Sequence, residues 1–145
     1  MIETKKVELR GSPNADKFFR EMYEKDCKYA NDLTAFGWQK TEVIQERHGR
    51  STYDYQILAR EKNMPNYEKL SSLEKRYELA KSNLRTYSGI DFLTALLLFL
   101  LFIVPGVIYL VYKNTKKEEI ETNNYKCEQT MKAAVKDALG IKKNV

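Results

Sequence analysis

The sequence predicts an α+β chain. A small strand-helix-strand-strand domain, with a helix packed on a three-stranded antiparallel sheet, precedes a long helix, one transmembrane helix with a Pro-Gly kink, and a C-terminal helix. Three observations carry that expectation. First, Val7 and Leu9 alternate with polar residues in KKVELR, while WQKTEVIQER and STYDYQILAR flank His48-Gly49-Arg50 as the arms of a hairpin. Second, apolar residues recur at three- and four-residue steps between that strand and that hairpin. Third, 21 residues from Phe92 to Tyr112 pass without a charge. The divisions are a small α+β domain at 1–62, an amphipathic or coiled-coil-like helix at 63–88, a transmembrane helix at 90–112 and a basic helical tail at 113–145.

The first helix is expected over residues 13–36, with Pro13 at its start and Gly37 at its stop. Phe19, Met22, Tyr23, Cys27, Ala30 and Leu33 form its apolar stripe. In the second hairpin arm Tyr53, Tyr55, Ile57 and Ala59 share one face, and Asp54, Gln56, Leu58 and Arg60 share the other. The tyrosine face is expected to pack on the helix stripe, since two tyrosines with Arg60 fall short of a base-stacking motif. In the first arm Val43 and Ile44 are adjacent, which blurs the alternation.

From Asn63 a helix is expected, with Pro65 in its first turn and Ser88-Gly89 at its end. Leu70, Leu73, Tyr77, Ala80, Leu84 and Tyr87 step by three and four, the spacing of a coiled-coil seam. The tail repeats the pattern with Ile120, Asn124, Cys127, Met131, Ala134 and Ala138. A polar Asn124 in such a seam would set register and oligomer state. In a single-span protein each helix would pair with its copy in another chain; in a re-entrant one the two would pair with each other.

The apolar run reads as a membrane anchor. A helix of that length reaches about 31 Å, the thickness of a bilayer's hydrocarbon layer. Phe92, Leu96, Phe99 and Phe102 supply its bulk, Pro105 and Gly106 its kink, and Tyr109 and Tyr112 its exit interface. Lys113, Lys116 and Lys117 follow as interfacial positive charges, and Asp91 caps the entrance. Thirteen residues before Pro105-Gly106 against six apolar residues after it favour a kinked span over a re-entrant loop.

Net charge is +5, with +3 from residues 1–89, −1 from Asp91 and +3 from residues 113–145. Acids interleave with the bases throughout, which argues against a nucleic-acid partner. Cys27 and Cys127 lie 100 residues apart and match neither a zinc pattern nor a disulfide framework. His48, the one histidine, sits in a turn without a second histidine or a placed serine. No phosphate loop, paired-carboxylate motif or HExxH pattern is present. The sequence therefore assigns no catalytic residue, metal site, cofactor or small-molecule substrate, and the expectation is a protein that is not an enzyme.

REKNMPNYEKLSSLEKRYE and LLLFLLFIVPGVIYLVYK resemble segments of uncharacterised bacterial single-span membrane proteins, over residues 60–117. Members of that group often carry an N-terminal zinc ribbon, whose cysteines are missing here. LTAFGWQKTEVIQERHGRSTYDYQILARE gives residues 5–61 a weaker likeness to small bacterial strand-helix-hairpin domains of unknown function. Neither resemblance implies an activity.

The polar start MIETKKVELR is unlike a signal peptide, so the N-terminal domain is expected at the cytoplasmic face of a bacterial plasma membrane. The expected function is a membrane-anchored interaction or scaffold protein. Its partners would be the lipid bilayer and either copies of itself or another protein, met through helices 63–88 and 116–140. The alternatives are a membrane-active, pore-forming or membrane-stress protein and a membrane-tethered nucleic-acid-binding domain.

Overall fold

A computed structural model describes residues 1–87, 89, 93, 94, 96, 97 and 103–143, with backbone alone at 103 and 104. The elements are β1 (Ile2–Leu9), α1 (Lys17–Ala35), β2 (Gln39–His48), β3 (Ser51–Glu61), α2 (Tyr67–Ser82) and α3 (Ile103–Lys143). The class is α+β with a three-stranded antiparallel sheet, as the sequence predicts, in the order β1-β3-β2. Two compact units are present: Met1–Arg76 with Ala133–Val145, and Tyr77–Lys132.

In the first unit, α1 begins later than the proline signal suggested. Asp16 is its N-cap, accepting a hydrogen bond from the Phe19 N–H, because a short carboxylate satisfies a free first-turn donor while Pro13 lies in the preceding turn. Its inward stripe is close to the expected one. Met22, Tyr23 and Cys27 are half-buried and Ala30 and Leu33 fully buried, but Phe19 is exposed and Asp26 joins the stripe. Asp26 is there because Arg10, just past β1, grips it with Nε, Nη2 and its backbone N–H. At the other end Gly37 leaves the helix with φ +91, a region L side chains rarely adopt.

The pairing of β1 with β3 runs from Ile2↔Glu61 to Leu9↔Asp54, and Glu3, Lys5 and Val7 share a face with Arg60, Leu58 and Gln56. Both helices lie on that face. Arg60 meets the carbonyl of Phe36 at the end of α1, and Glu74 of α2 meets Lys5 and Arg60. The expected orientation of β3 is thereby corrected: Leu58 and Arg60 are buried, whereas Tyr53 is exposed and Tyr55 half-buried on the other face. Alternation favours the tyrosine face, and the reversal comes from partners distant in sequence that pair with Arg60. The blurred pattern of β2 has a structural cause, a register shift between Lys40 and Val43.

In the second unit, the segment after α2 is tied to α3. Asn123 Nδ2 donates to the Asn83 carbonyl at 2.9 Å, while Asn124 bonds both backbone groups of Arg85. The chain before the apolar run and the chain after it thus meet. A straight single span would hold them apart by about 30 Å. Within α3 the uncharged part, Ile103 to Tyr112, is ten residues, or about 15 Å of helix. Among the described residues no helix is long and apolar enough to cross a membrane. The expectations of a transmembrane helix, a single-pass protein and a plasma-membrane location are corrected accordingly.

Candidate functional site

Among the described residues of the first unit, two buried charged residues, Arg60 and Glu74, meet at one place, while Asp26 pairs separately with Arg10. Arg60 is only 5 % exposed, although it is the penultimate residue of the central strand. Its Nε and Nη2 donate to Glu3 Oε2 at 3.1 and 2.9 Å, and its Nη1 donates to Glu74 Oε2 at 2.7 Å and to the Phe36 carbonyl at 3.2 Å. Its guanidinium carbon lies 4.4 Å from the Trp38 ring centroid and 4.9 Å from that of Tyr67. A planar, weakly hydrated cation is suited to this slot, where two aromatic rings lie against it and carboxylates take its N–H groups.

Each neighbour arrives for a local reason. Glu3 faces Arg60 because the two are cross-strand partners. Trp38 follows Gly37, whose left-handed turn brings the chain back toward the sheet. Tyr67 and Glu74 are seven residues apart on α2, two helical turns, and so lie on one side of it. Tyr67 donates its hydroxyl to Glu3 Oε1 at 2.7 Å, Lys5 bonds Glu74 Oε1 at 3.0 Å, and Lys62 stands 3.5 Å from Glu3. The Tyr67 hydroxyl, followed by Arg60, holds the Glu3 carboxyl below its usual range against the opposing effect of burial. The same bond pushes the Tyr67 phenol up.

Beside this cluster opens a cavity of about 540 Å³, lined by residues 1–5 of β1 and its start, Trp38, Arg60 and Lys62. Residues of an antiparallel pair alternate between those whose backbone groups face the partner and those whose groups face away. The Lys62 N–H donates to the Met1 carbonyl, so Met1, Glu3 and Lys5 face β3, and Ile2 and Thr4 turn theirs to the outer edge. That edge has no strand against it among the described residues. The Trp38 Nε1 donor is buried without an acceptor in the structure.

The arrangement holds charge and exposes a strand edge. It does not set a nucleophile beside a base, and among the described residues no group of His, Cys, Asp and Glu could hold a metal ion. The chain matches no protein-family model, no curated protein and no solved structure.

The residues singled out in the sequence lie elsewhere. Phe92, Phe99 and Phe102, with Asp91, lie outside the described residues, as does the rest of 98–102 on the entrance side of the expected kink at Pro105-Gly106. Leu96 and Tyr112 are exposed and Tyr109 half-buried, while Pro105 and Gly106 lie inside α3. Lys113 lies over the Tyr109 ring and Lys116 over that of Tyr112; Lys116 and Lys117 also pair along the helix with Glu119 and Glu121. Of the seam residues, Leu70 is buried in the first unit and Tyr77 in the second, Leu73, Ile120, Asn124 and Met131 are half-buried, and Leu84 is exposed. Cys27 and Cys127 are free thiols, and His48 is an exposed neighbour of Glu46 and Tyr53.

Sequence reasoning set Arg60 on a strand face and missed its role. The available signal was an arginine directly after the apolar Ile57-Leu58-Ala59, with acids at positions 3 and 74 that pair with it only after folding.

Proposed function

We propose that this chain is a non-catalytic scaffold that associates with copies of itself through the apolar surface of its second unit. The observation that carries this reading is the exposure of that surface: Leu93 is 76 %, Ile108 62 % and Val111 62 % exposed, and Leu97 and Val107 are exposed beside them in the sequence. Water-exposed clusters of large aliphatic side chains mark interaction sites. A patch without charge is complementary to itself, as a two-fold interface requires. The polar groups at 83, 85, 123 and 124 are engaged within the chain, and the exposed Leu93, Leu97, Val107, Ile108 and Val111 face the partner.

The test is sedimentation of the full chain across a concentration series, beside an Ile108→Lys, Val111→Lys double variant. The natural chain is expected to form an oligomer and the variant to stay monomeric. A natural chain that is monomeric at every concentration overturns the reading. So does flotation of the natural chain, but not the variant, with phosphatidylcholine vesicles, which would give the patch a lipid occupant.

A further inference from the structure

We infer that the outer edge of β1, with the cavity beside it, docks an extended acidic peptide as a fourth strand of the sheet. This is a site in the first unit and is independent of self-association through the second.

Strand addition fits the backbone. Ile2 and Thr4 both line the cavity, and both turn an N–H and a carbonyl to the open edge. Two residues of strand separate these groups by about 7 Å, the repeat at which an incoming strand presents its own donors and acceptors. A compact ligand would satisfy one such pair; an extended peptide satisfies both.

Charge decides which peptide. Lys5, Arg60 and Lys62 line the cavity against the single carboxylate of Glu3. Glu74 neutralises from behind, bonded to Lys5 and Arg60, which still leaves one surplus positive charge. Lys62 is the most loosely held of these cations, 3.5 Å from Glu3 with its side chain 46 % exposed, so it can turn to an incoming carboxylate. Successive residues of the docked strand point to opposite faces. Those on the other face would meet Ile2, which is 65 % exposed. The matching ligand alternates acidic and apolar side chains.

Trp38 is the only tryptophan in the chain and lines the cavity, so its fluorescence reports occupancy directly. The full chain is titrated with acetyl-Val-Glu-Val-Glu-Val-amide, with its Gln-for-Glu counterpart, and with the acidic peptide N-methylated at its central amides. Saturable change with the acidic peptide is expected, with affinity about tenfold lower for the Gln peptide and a comparable loss on N-methylation. In the protein, Lys62→Ala should weaken the acidic peptide alone. Thr4→Pro, which removes an outward N–H that the β1–β3 ladder does not use, should weaken both unmethylated peptides. Equal binding of the acidic and Gln peptides overturns the charge assignment, and indifference to N-methylation overturns strand addition. No saturable response to any peptide overturns the site, whether or not the chain self-associates. Because methylation alters only the ligand, the test stands even where Thr4→Pro fails to fold.

Discussion

Asn124 gives Arg85 the pair of hydrogen bonds that a neighbouring strand would give: Nδ2 donates to the Arg85 carbonyl at 2.6 Å, and Oδ1 accepts the Arg85 N–H at 2.8 Å. One side chain from the middle of α3 thereby satisfies a stretch of backbone that has left α2. Asn124→Ala is expected to lose about 1 kcal/mol of stability, since the freed groups can turn to water. Hydrogen exchange at the Arg85 amide should accelerate by more than at the sheet amides. An unchanged Arg85 rate would show that the pair does not close this segment.

Arg60 is a costlier residue to lose. Its removal strands two carboxylates that its guanidinium neutralises, one of them in a side chain only 10 % exposed. Arg60→Leu should cost about 3 kcal/mol by urea denaturation. Arg60→Lys should recover part of that, because an ammonium keeps the charge without the fork or the stacking over Trp38 and Tyr67. A lysine variant as stable as the natural chain would contradict the stacking assignment.

The pH dependence follows from two shifts of opposite sign around the same bond. Glu3 has its carboxyl held down in the folded chain, first by Tyr67 and then by Arg60. Its contribution is complete above the ordinary carboxyl range of about 4.3 and disappears as pH falls through the lower folded value. The stability gap between the natural chain and Glu3→Gln should therefore narrow on acidification. Tyr67 is raised by its bond to Glu3, so its contribution is complete below about pH 10 and disappears as pH rises through the higher folded value. The gap to Tyr67→Phe should narrow at the alkaline end. Gaps that stay constant at both ends would remove the bond from the stability of the fold.

Gly37 links the helix stop to the site. A Cβ there would stand 2.4 Å from Met64 Cε, on a backbone at φ +91. Gly37→Ala should lose about 1 kcal/mol or more. Adding Met64→Ala relieves the steric part and leaves the backbone part, so the double variant should be less destabilised than the sum of the two single variants. Strict additivity in denaturant midpoints would place the Met64 side chain elsewhere.

The local elements were legible because local chemistry sets them. The alternation in residues 51–60, the glycine after Phe36 and the three-four spacing of residues 70–80 and 120–138 each act within a few neighbours along the chain. The buried seam of α3 carries the anticipated Cys127, Ala134 and Ala138. Less legible was the start of α1, which the proline signal sets at Pro13, whereas the helix begins after Asp16. The face of β3 that turns inward was not legible at all. Hydropathy favours the tyrosines, and Arg60 is buried only because Glu3 from β1, Trp38 from the chain after α1, and Tyr67 and Glu74 from α2 converge from three separate segments.

The apolar run marks the same boundary. By itself the sequence determined that residues 92–112 carry no charge, that seams lie on both sides, and that an antiparallel three-stranded sheet precedes them. Whether the two flanks stand apart or meet is a property of chain return, which no window of hydropathy encodes. Only the tertiary structure decided it, through two asparagines on α3 that bond the backbone of residues 83 and 85. It decided likewise that a lone strand arginine is the centre of a buried charge cluster beside an open edge, because desolvated charges are paid for by partners distant in sequence.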